Sequence, residues 1–370
     1  MMSQRYSILS LDGGGIRGLV TALILQDLEN KIQQRSQNKQ LKDCFDLIAG
    51  TSTGSLIACG LSYGVSISKI VEFYSLYSGF PQKIFPPTFR SYLTGFVNRL
   101  HLGISQPMYD GKGLEAVLQN IFKTTTFDQL KIQTLVTSYD VYNGQAVVFN
   151  SKQSECKTLP IWEVCRASAA APIAFPAHII EDKTYLSYWH AKGYKLTNNP
   201  ENNHLCIPLI DGGVAANNPT LCAVAEAIKA KKHPSNLVVA SLGCGTQKTK
   251  SISVKKSRGW GAFEWINPLN DMPILETIQD GSSDVIDHIS RHLVNSKNYY
   301  RFQPYFKQKH STFKANQKNI DALKQETLRY IQSPEVQKKL YHLAIQLTAT
   351  SVSPVVQSKK QLQAVSSHLN

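Results

Sequence analysis

Phe45-Asp46-Leu47-Ile48-Ala49-Gly50-Thr51-Ser52-Thr53-Gly54-Ser55-Leu56-Ile57-Ala58-Cys59-Gly60-Leu61 is the stretch that decides the fold. Its first five residues read as a short buried strand, and Ser55 onward reads as a tightly packed helix of small and apolar residues. Between them stands Gly50-x-Ser52-x-Gly54, a G-x-S-x-G pattern at a strand-to-helix turn. Such a turn is strained, so it exposes the serine hydroxyl while the glycines let neighbouring backbone pass close by. The following helix directs its N-terminal N–H groups and the positive end of its dipole at the same point. Ser52 is therefore the candidate nucleophile, with Thr53 after it as a candidate oxyanion donor. Gly, Ser and Thr also cluster in ordinary turns, so the reading needs support from the rest of the chain.

Upstream, Tyr6 to Leu11 reads as a first strand that ends in Asp12-Gly13-Gly14-Gly15-Ile16-Arg17-Gly18 and continues as a helix from Leu19 to about Gln33. That helix has an apolar face of Leu19, Leu23, Leu25 and Leu28, widened by Val20, Ala22 and Ile24. Downstream come a helix near 68–78, a Pro- and aromatic-rich segment 79–107 read as a lid or insertion, and a helix ending at Phe122. Residues 134–140 and 145–149 read as strands paired around Asn143-Gly144, a strong hairpin signal. A helix over 160–170, a strand ending at Asp211-Gly212-Gly213, a helix over 219–231 and a core strand 237–243 follow. This alternation predicts an α/β layer fold around a central, largely parallel or mixed sheet.

Composition narrows the classes. At 42% hydrophobic and 18% charged residues, 370 residues suit ordinary globular protein rather than a disordered or fibrous chain. Seven scattered cysteines without C-x-x-C spacing argue against a disulfide framework and a zinc site, and for a reducing, cytoplasmic compartment. Cys59, Cys165 and Cys222 read as small core residues. Met1 to Tyr6 do not read as a secretory signal. The most apolar long stretch, 161–180, is broken by Glu163, Arg166, Pro172 and Pro176, so it is a poor transmembrane span. The net charge of +14 is spread along the chain without a recognised basic-aromatic module, which argues against nucleic acid.

Acyl transfer needs a nucleophile, a base and donors for the transient oxyanion. Successive N–H groups of Gly13, Gly14 and Gly15 form a candidate anion-binding nest, strengthened by Arg17 and the helix after Gly18. The loop lacks the G-K-[ST] ending of a Walker motif and the G-x-G-x-x-G spacing of a dinucleotide fold. The base is less clear from the residues alone. His233, His288 and His292 all follow Asp211 in the order a triad takes, but none stands in an obvious strand-end loop.

Asp12-Gly13-Gly14-Gly15-Ile16-Arg17-Gly18, Gly50-Thr51-Ser52-Thr53-Gly54 and Asp211-Gly212-Gly213-Val214-Ala215-Ala216-Asn217-Asn218-Pro219 together resemble the patatin-like phospholipase family. Further landmarks are Tyr109-Asp110-Gly111-Lys112, 165–172, 241–246, Trp260-Gly261, 280–284 and Tyr299-Tyr300-Arg301, which look closest to plant patatins and their bacterial relatives. The resemblance runs from about residue 6 to 305. It implies a three-layer α/β fold and a lipid acyl hydrolase of phospholipase A or lysophospholipase type, with a Ser52–Asp211 dyad and an acyl-enzyme. No cofactor is expected, and with nothing like an EF-hand or a His-based metal motif in the sequence the expected enzyme is calcium-independent. The glycine loop, Arg17 and Thr53 would then form the oxyanion hole. The alternative is a catalytically silent lipid-binding or regulatory protein that keeps the fold.

We divide the chain into a hydrolase domain, 1–310, and a basic helical extension, 311–370. The extension holds helices near 316–332 and 334–348 and ends in twenty residues with the composition of a flexible end. The expected partner is a phospholipid or related glycerolipid met by peripheral membrane contact. Lys248, Lys250, Lys255, Lys256 and Arg258, just before Trp260, Phe263 and Trp265, are the candidate docking patch; the alternative is a solvated loop followed by core aromatics. Family relatives switched on by small nucleotides or by a host protein raise the expectation of an activator, and of delivery as an effector by a non-classical route.

Overall fold

The structure, a computed structural model, describes residues 5–86, 107–247, 252–266, 273–308 and 310–349. Its main sheet has the strand order β10-β8-β1-β2-β3-β7-β5, with β4 paired to β3 and β6 to β7. The strands are β1 (Tyr6–Leu11), β2 (Leu47–Thr51), β3 (Gln133–Asp140), β4 (Gln145–Asn150), β5 (His178–Ile180), β6 (Thr197–Asn198), β7 (Leu205–Asp211), β8 (Leu237–Leu242) and β10 (Tyr299–Phe302). From β10 across to β3 every pairing is parallel; β4, β7, β5 and β6 join antiparallel, so the sheet is mixed. A separate pair joins β9 (Thr246–Gln247) to β11 (Tyr305–Phe306).

Helices cover both faces, as the side-chain period of two requires of a sheet buried on each side. Leu9, Leu11, Ile48, Val238 and Leu242 point to one side and share a core with α1 (Gly18–Arg35) and α2 (Thr53–Tyr63). Tyr6, Ile8, Leu47, Leu135 and Val239 point to the other and meet Ala223, Val224 and Ala227 of the helix Thr220–Lys229. This is the three-layer arrangement.

The wide apolar surface of α1 has a structural cause. The helices Gln317–Gln332 and Pro334–Thr348 pack on α1, so it is buried from two sides. Leu323, Leu340, Leu343 and Ala344 are fully buried in the same core as Leu25, Leu28 and Ile32 of α1. The side chain of Asn316 caps the first of these helices, and Pro334 opens the second at a position where its missing N–H costs nothing. Cys222 is half-buried rather than part of the core, since its turn of the helix faces partly outward; Cys59 and Cys165 are fully buried.

Candidate active site

The topology brings two strand ends together. Residues 133–137 of β3 pair with β2, and 138–140 pair with β7, while β4 occupies much of the same stretch as a third partner. Strands β2 and β7 therefore meet end to end: Thr51 lies opposite Thr137, and Asp211 lies opposite the next residue, Ser138. Ser52 directly follows Thr51, which puts the candidate nucleophile and the candidate base at one seam.

Ser52 is the single residue between β2 and α2, with φ 53° and ψ −125°. A positive φ at a residue with a Cβ costs about 1–3 kcal/mol, so neighbouring contacts must hold it. Its N–H donates to Ser168 Oγ at 2.8 Å, and Ser55 Oγ donates to its carbonyl at 2.6 Å. Thr51 Oγ1 donates to the Ala216 carbonyl at 2.8 Å and lies 2.6 Å from Thr137 Oγ1. The flanking glycines are steric necessities. A Cβ on Gly54 would strike the Leu11 carbonyl oxygen, and one on Gly50 would strike the backbone of Gly54.

Asp211 is buried, and its Oδ1 accepts the Gly213 N–H at 2.7 Å. Burial pushes its carboxyl up to about 6, while hydrogen bonds from the Ser52 side chain and the Gly213 N–H pull the other way. Such a group is still ionised at neutral pH, yet it is a stronger base than an exposed aspartate. None of the described residues lining the cavity is a histidine. His233, His288 and His292 all stand exposed elsewhere.

The glycine loop divides its work. Gly13 donates its N–H to the Asn217 carbonyl at 3.1 Å, so that donor is already spent. Its bare Cα lets the loop pass Ser52, since an added Cβ would lie 3.2 Å from Ser52 Cβ. The N–H groups of Gly14, Gly15 and Thr53 find no protein acceptor among the described residues, and all three residues line the cavity beside Ser52. Arg17 does not line it; Nη1 donates to the Gly245 carbonyl at 3.2 Å, which ties the loop to the end of β8. The loop is also held from the other side, where the Ile16 N–H donates to the Thr312 carbonyl at 3.0 Å.

From Ser52 and Asp211 opens a cavity of about 1040 Å³, its mouth included. Leu56 of α2, Ile70 and Phe73 of α3 (Ile67–Phe73), Phe80 and Ile84 of α4 (Phe80–Ile84) and Leu118 and Phe122 of α5 (Lys112–Phe122) form its apolar walls. The segment expected to act as a lid thus supplies a wall through Phe80–Phe85, and its residues 87–106 lie outside the described residues. Thr312 and Phe313 complete the lining, although they lie past the end of the motif resemblance. Sequence reasoning gave them no role; Ser168, Asp12 and Arg301 fall within motif or landmark stretches, but the contacts Ser168–Ser52 and Asp12–Arg301 join residues more than a hundred positions apart and were not read.

A family model described as patatin-like phospholipase matches residues 9–224. The chain is 32% identical over 329 residues to patatin-like protein 2 of Arabidopsis thaliana, covering 80% of this chain and 75% of the relative. It is 30% identical to patatin-like protein 2 of Oryza sativa subsp. indica, with 80% and 76% covered. Among solved structures, VipD from Legionella pneumophila aligns with a TM-score of 0.36 at 12% identity over 88% of this chain and 67% of that one. The chain belongs to the patatin-like phospholipase family, and that membership supports lipid acyl hydrolase activity.

Proposed function

We propose that the protein is a calcium-independent phospholipase A or lysophospholipase that works through a Ser52–Asp211 dyad. The observation that supports this reading is that the buried Asp211 carboxylate and Ser52 stand at one seam of the sheet and line the same apolar cavity. The fatty-acyl chain lies along the walls of α3, α4 and α5, with its ester carbonyl at Ser52. Ser52 Oγ attacks that carbonyl as Asp211 takes the hydroxyl proton. The N–H groups of Gly14, Gly15 and Thr53 meet the developing oxyanion, so the step needs no metal; each such donor is typically worth about 3–4 kcal/mol. Asp211 then gives its proton to the leaving alcohol, which leaves an acyl-Ser52 ester. Water attacks that ester, Asp211 takes a water proton, and Ser52 regains it as the fatty acid departs.

The substrate is a phospholipid or related glycerolipid reached from the water side. No helix among the described residues is long and apolar enough to cross a membrane. Mass spectrometry of products from a mixed lipid extract, with Ser52→Ala as control, tests the reading and names the lipid class. Fatty acid released by the wild type and not by the variant is expected. Equal release by both would refute the assignment, and no release by either would favour a silent lipid-binding protein.

A further inference from the structure

Residues 252–266 carry their side chains largely in solvent. Their short helices Val254–Gly259 and Ala262–Ile266 contain no buried residue. Val254 is 70% exposed and Phe263 65%. Trp260 and Trp265 are half-buried and pack edge-to-face on each other, with ring centroids 5.2 Å apart, instead of entering the core. Lys255, Lys256 and Arg258 are exposed, and none makes an ion pair among the described residues. The acid within the segment, Glu264, accepts the Gly261 N–H at 2.9 Å. Lys248 and Lys250, expected in the same patch, lie outside the described residues.

The position of this segment matters as much as its composition. In sequence it follows β8, whose C-terminal end lies at the same edge as the ends of β1 and β2, where the glycine loop and Ser52 stand. Its helix Ala262–Ile266 touches the helix Pro273–Leu293, whose Gln279 lines the cavity while the adjacent Ile278 is 45% exposed. The segment therefore lies against a helix that lines the cavity.

We infer that residues 252–266 form the docking surface for an anionic lipid bilayer and seat the cavity against it. The inference rests on the lipid-hydrolase reading for its purpose, but not for its test. A protein interface core is depleted in lysine, whereas Trp and Phe flanked by Lys and Arg on short helices match the boundary between lipid headgroups and acyl chains. The chain's net charge of +14 adds long-range attraction to a negative surface.

The test uses full-length Ser52→Ala protein, which binds without hydrolysis, sedimented with phosphatidylcholine vesicles with and without phosphatidylglycerol. The combined variant Lys255→Gln, Lys256→Gln, Arg258→Gln should lower partition onto the anionic vesicles about a hundredfold at low salt. Phe263→Ala should lower it about tenfold, on neutral and anionic vesicles alike. In Ser52-containing protein both changes should leave hydrolysis of a soluble short-chain ester intact. Unchanged vesicle binding would overturn the inference, as would dissolution of a dimer in sedimentation velocity with vesicle binding unaltered. Failure of the wild type on the soluble ester would instead count against the proposed activity, with the vesicle result still standing.

Discussion

Arg301 grips both carboxylate oxygens of Asp12, Nη1 to Oδ1 at 2.9 Å and Nη2 to Oδ2 at 2.7 Å, across 289 residues of sequence. Nη1 also donates to Ser241 Oγ at 3.0 Å. Both partners are buried, and Asp12 is the residue from which the glycine loop departs. The pair fixes the loop's origin from two strands away, since β8 lies between β10 and β1.

Breaking that pair on one side leaves an uncompensated buried charge. Arg301→Met should therefore cost about 3–5 kcal/mol of stability by denaturant titration, and it should lower kcat. Replacing Asp12 by Asn in the same protein should recover part of the stability but not the activity, because the grip on the loop stays lost. Additive stability losses would show that the two side chains act independently.

Ser168 holds the strained elbow by accepting the Ser52 N–H. Ser168→Ala leaves that N–H without its partner, a loss of about 1–3 kcal/mol. Stability should fall by this amount, and kcat should fall about tenfold with little change in KM. A fall in KM-dependent terms alone would mean that Ser168 contacts substrate instead.

The pH dependence follows from Asp211. In the proposed dyad the ionised carboxylate is the base, so kcat/KM should rise as pH passes through about 6 and level off above it. Stability runs the other way for this group. Its folded value of about 6 lies above that of a free aspartate, so the folded state binds the proton more tightly, and stability falls as pH rises between the two values. Asp211→Asn should abolish the rising limb of activity and, at neutral pH, add on the order of 2–3 kcal/mol in denaturant titration. A variant that loses stability at pH 7 would show that the ionised carboxylate contributes net stabilisation.

Chain-length preference should be set by the walls of α5. Leu118→Trp adds bulk to the cavity, so hydrolysis of long-chain esters should fall at least tenfold relative to short-chain esters, read as the ratio of kcat/KM values. An unchanged ratio would mean that the acyl chain takes another route.

The two C-terminal helices predict a structural result. Leu343 is fully buried against α1, so Leu343→Ala should cost about 2–5 kcal/mol, and removal of residues 317–349 should leave the protein insoluble. A stable, active truncation would contradict this. The helices themselves were legible in the sequence as stretches near 316–332 and 334–348, close to the observed Gln317–Gln332 and Pro334–Thr348. Their seat on α1 was not, because amphipathicity shows that a face is buried and not what buries it.

The same limit explains the site. G-x-S-x-G revealed Ser52 because the strained turn imposes glycines locally, and Asn143-Gly144 revealed the β3–β4 hairpin for a similar reason. As candidate base, Asp211 was suggested only by the family resemblance, since an aspartate at a strand end also suits an ordinary turn. Gly13 and Arg17 shared a motif with Gly14 and Gly15, yet their polar groups hold backbone carbonyls of Asn217 and Gly245. No local pattern distinguishes a free N–H from one already spent. Thr312 and Phe313 reach the cavity from a stretch with no motif at all.

The most direct test of the account is a double-mutant cycle on fatty-acid release with Ser52→Ala, Asp211→Asn and the two combined, each confirmed folded. If the alcohol and the carboxylate act as one unit, each single change should remove nearly all the rate above the residual owed to binding and the oxyanion donors. The double variant should then be no worse than either alone. A variant lacking the Asp211 carboxylate that keeps most of its rate, or losses that multiply in the double variant, would contradict the dyad.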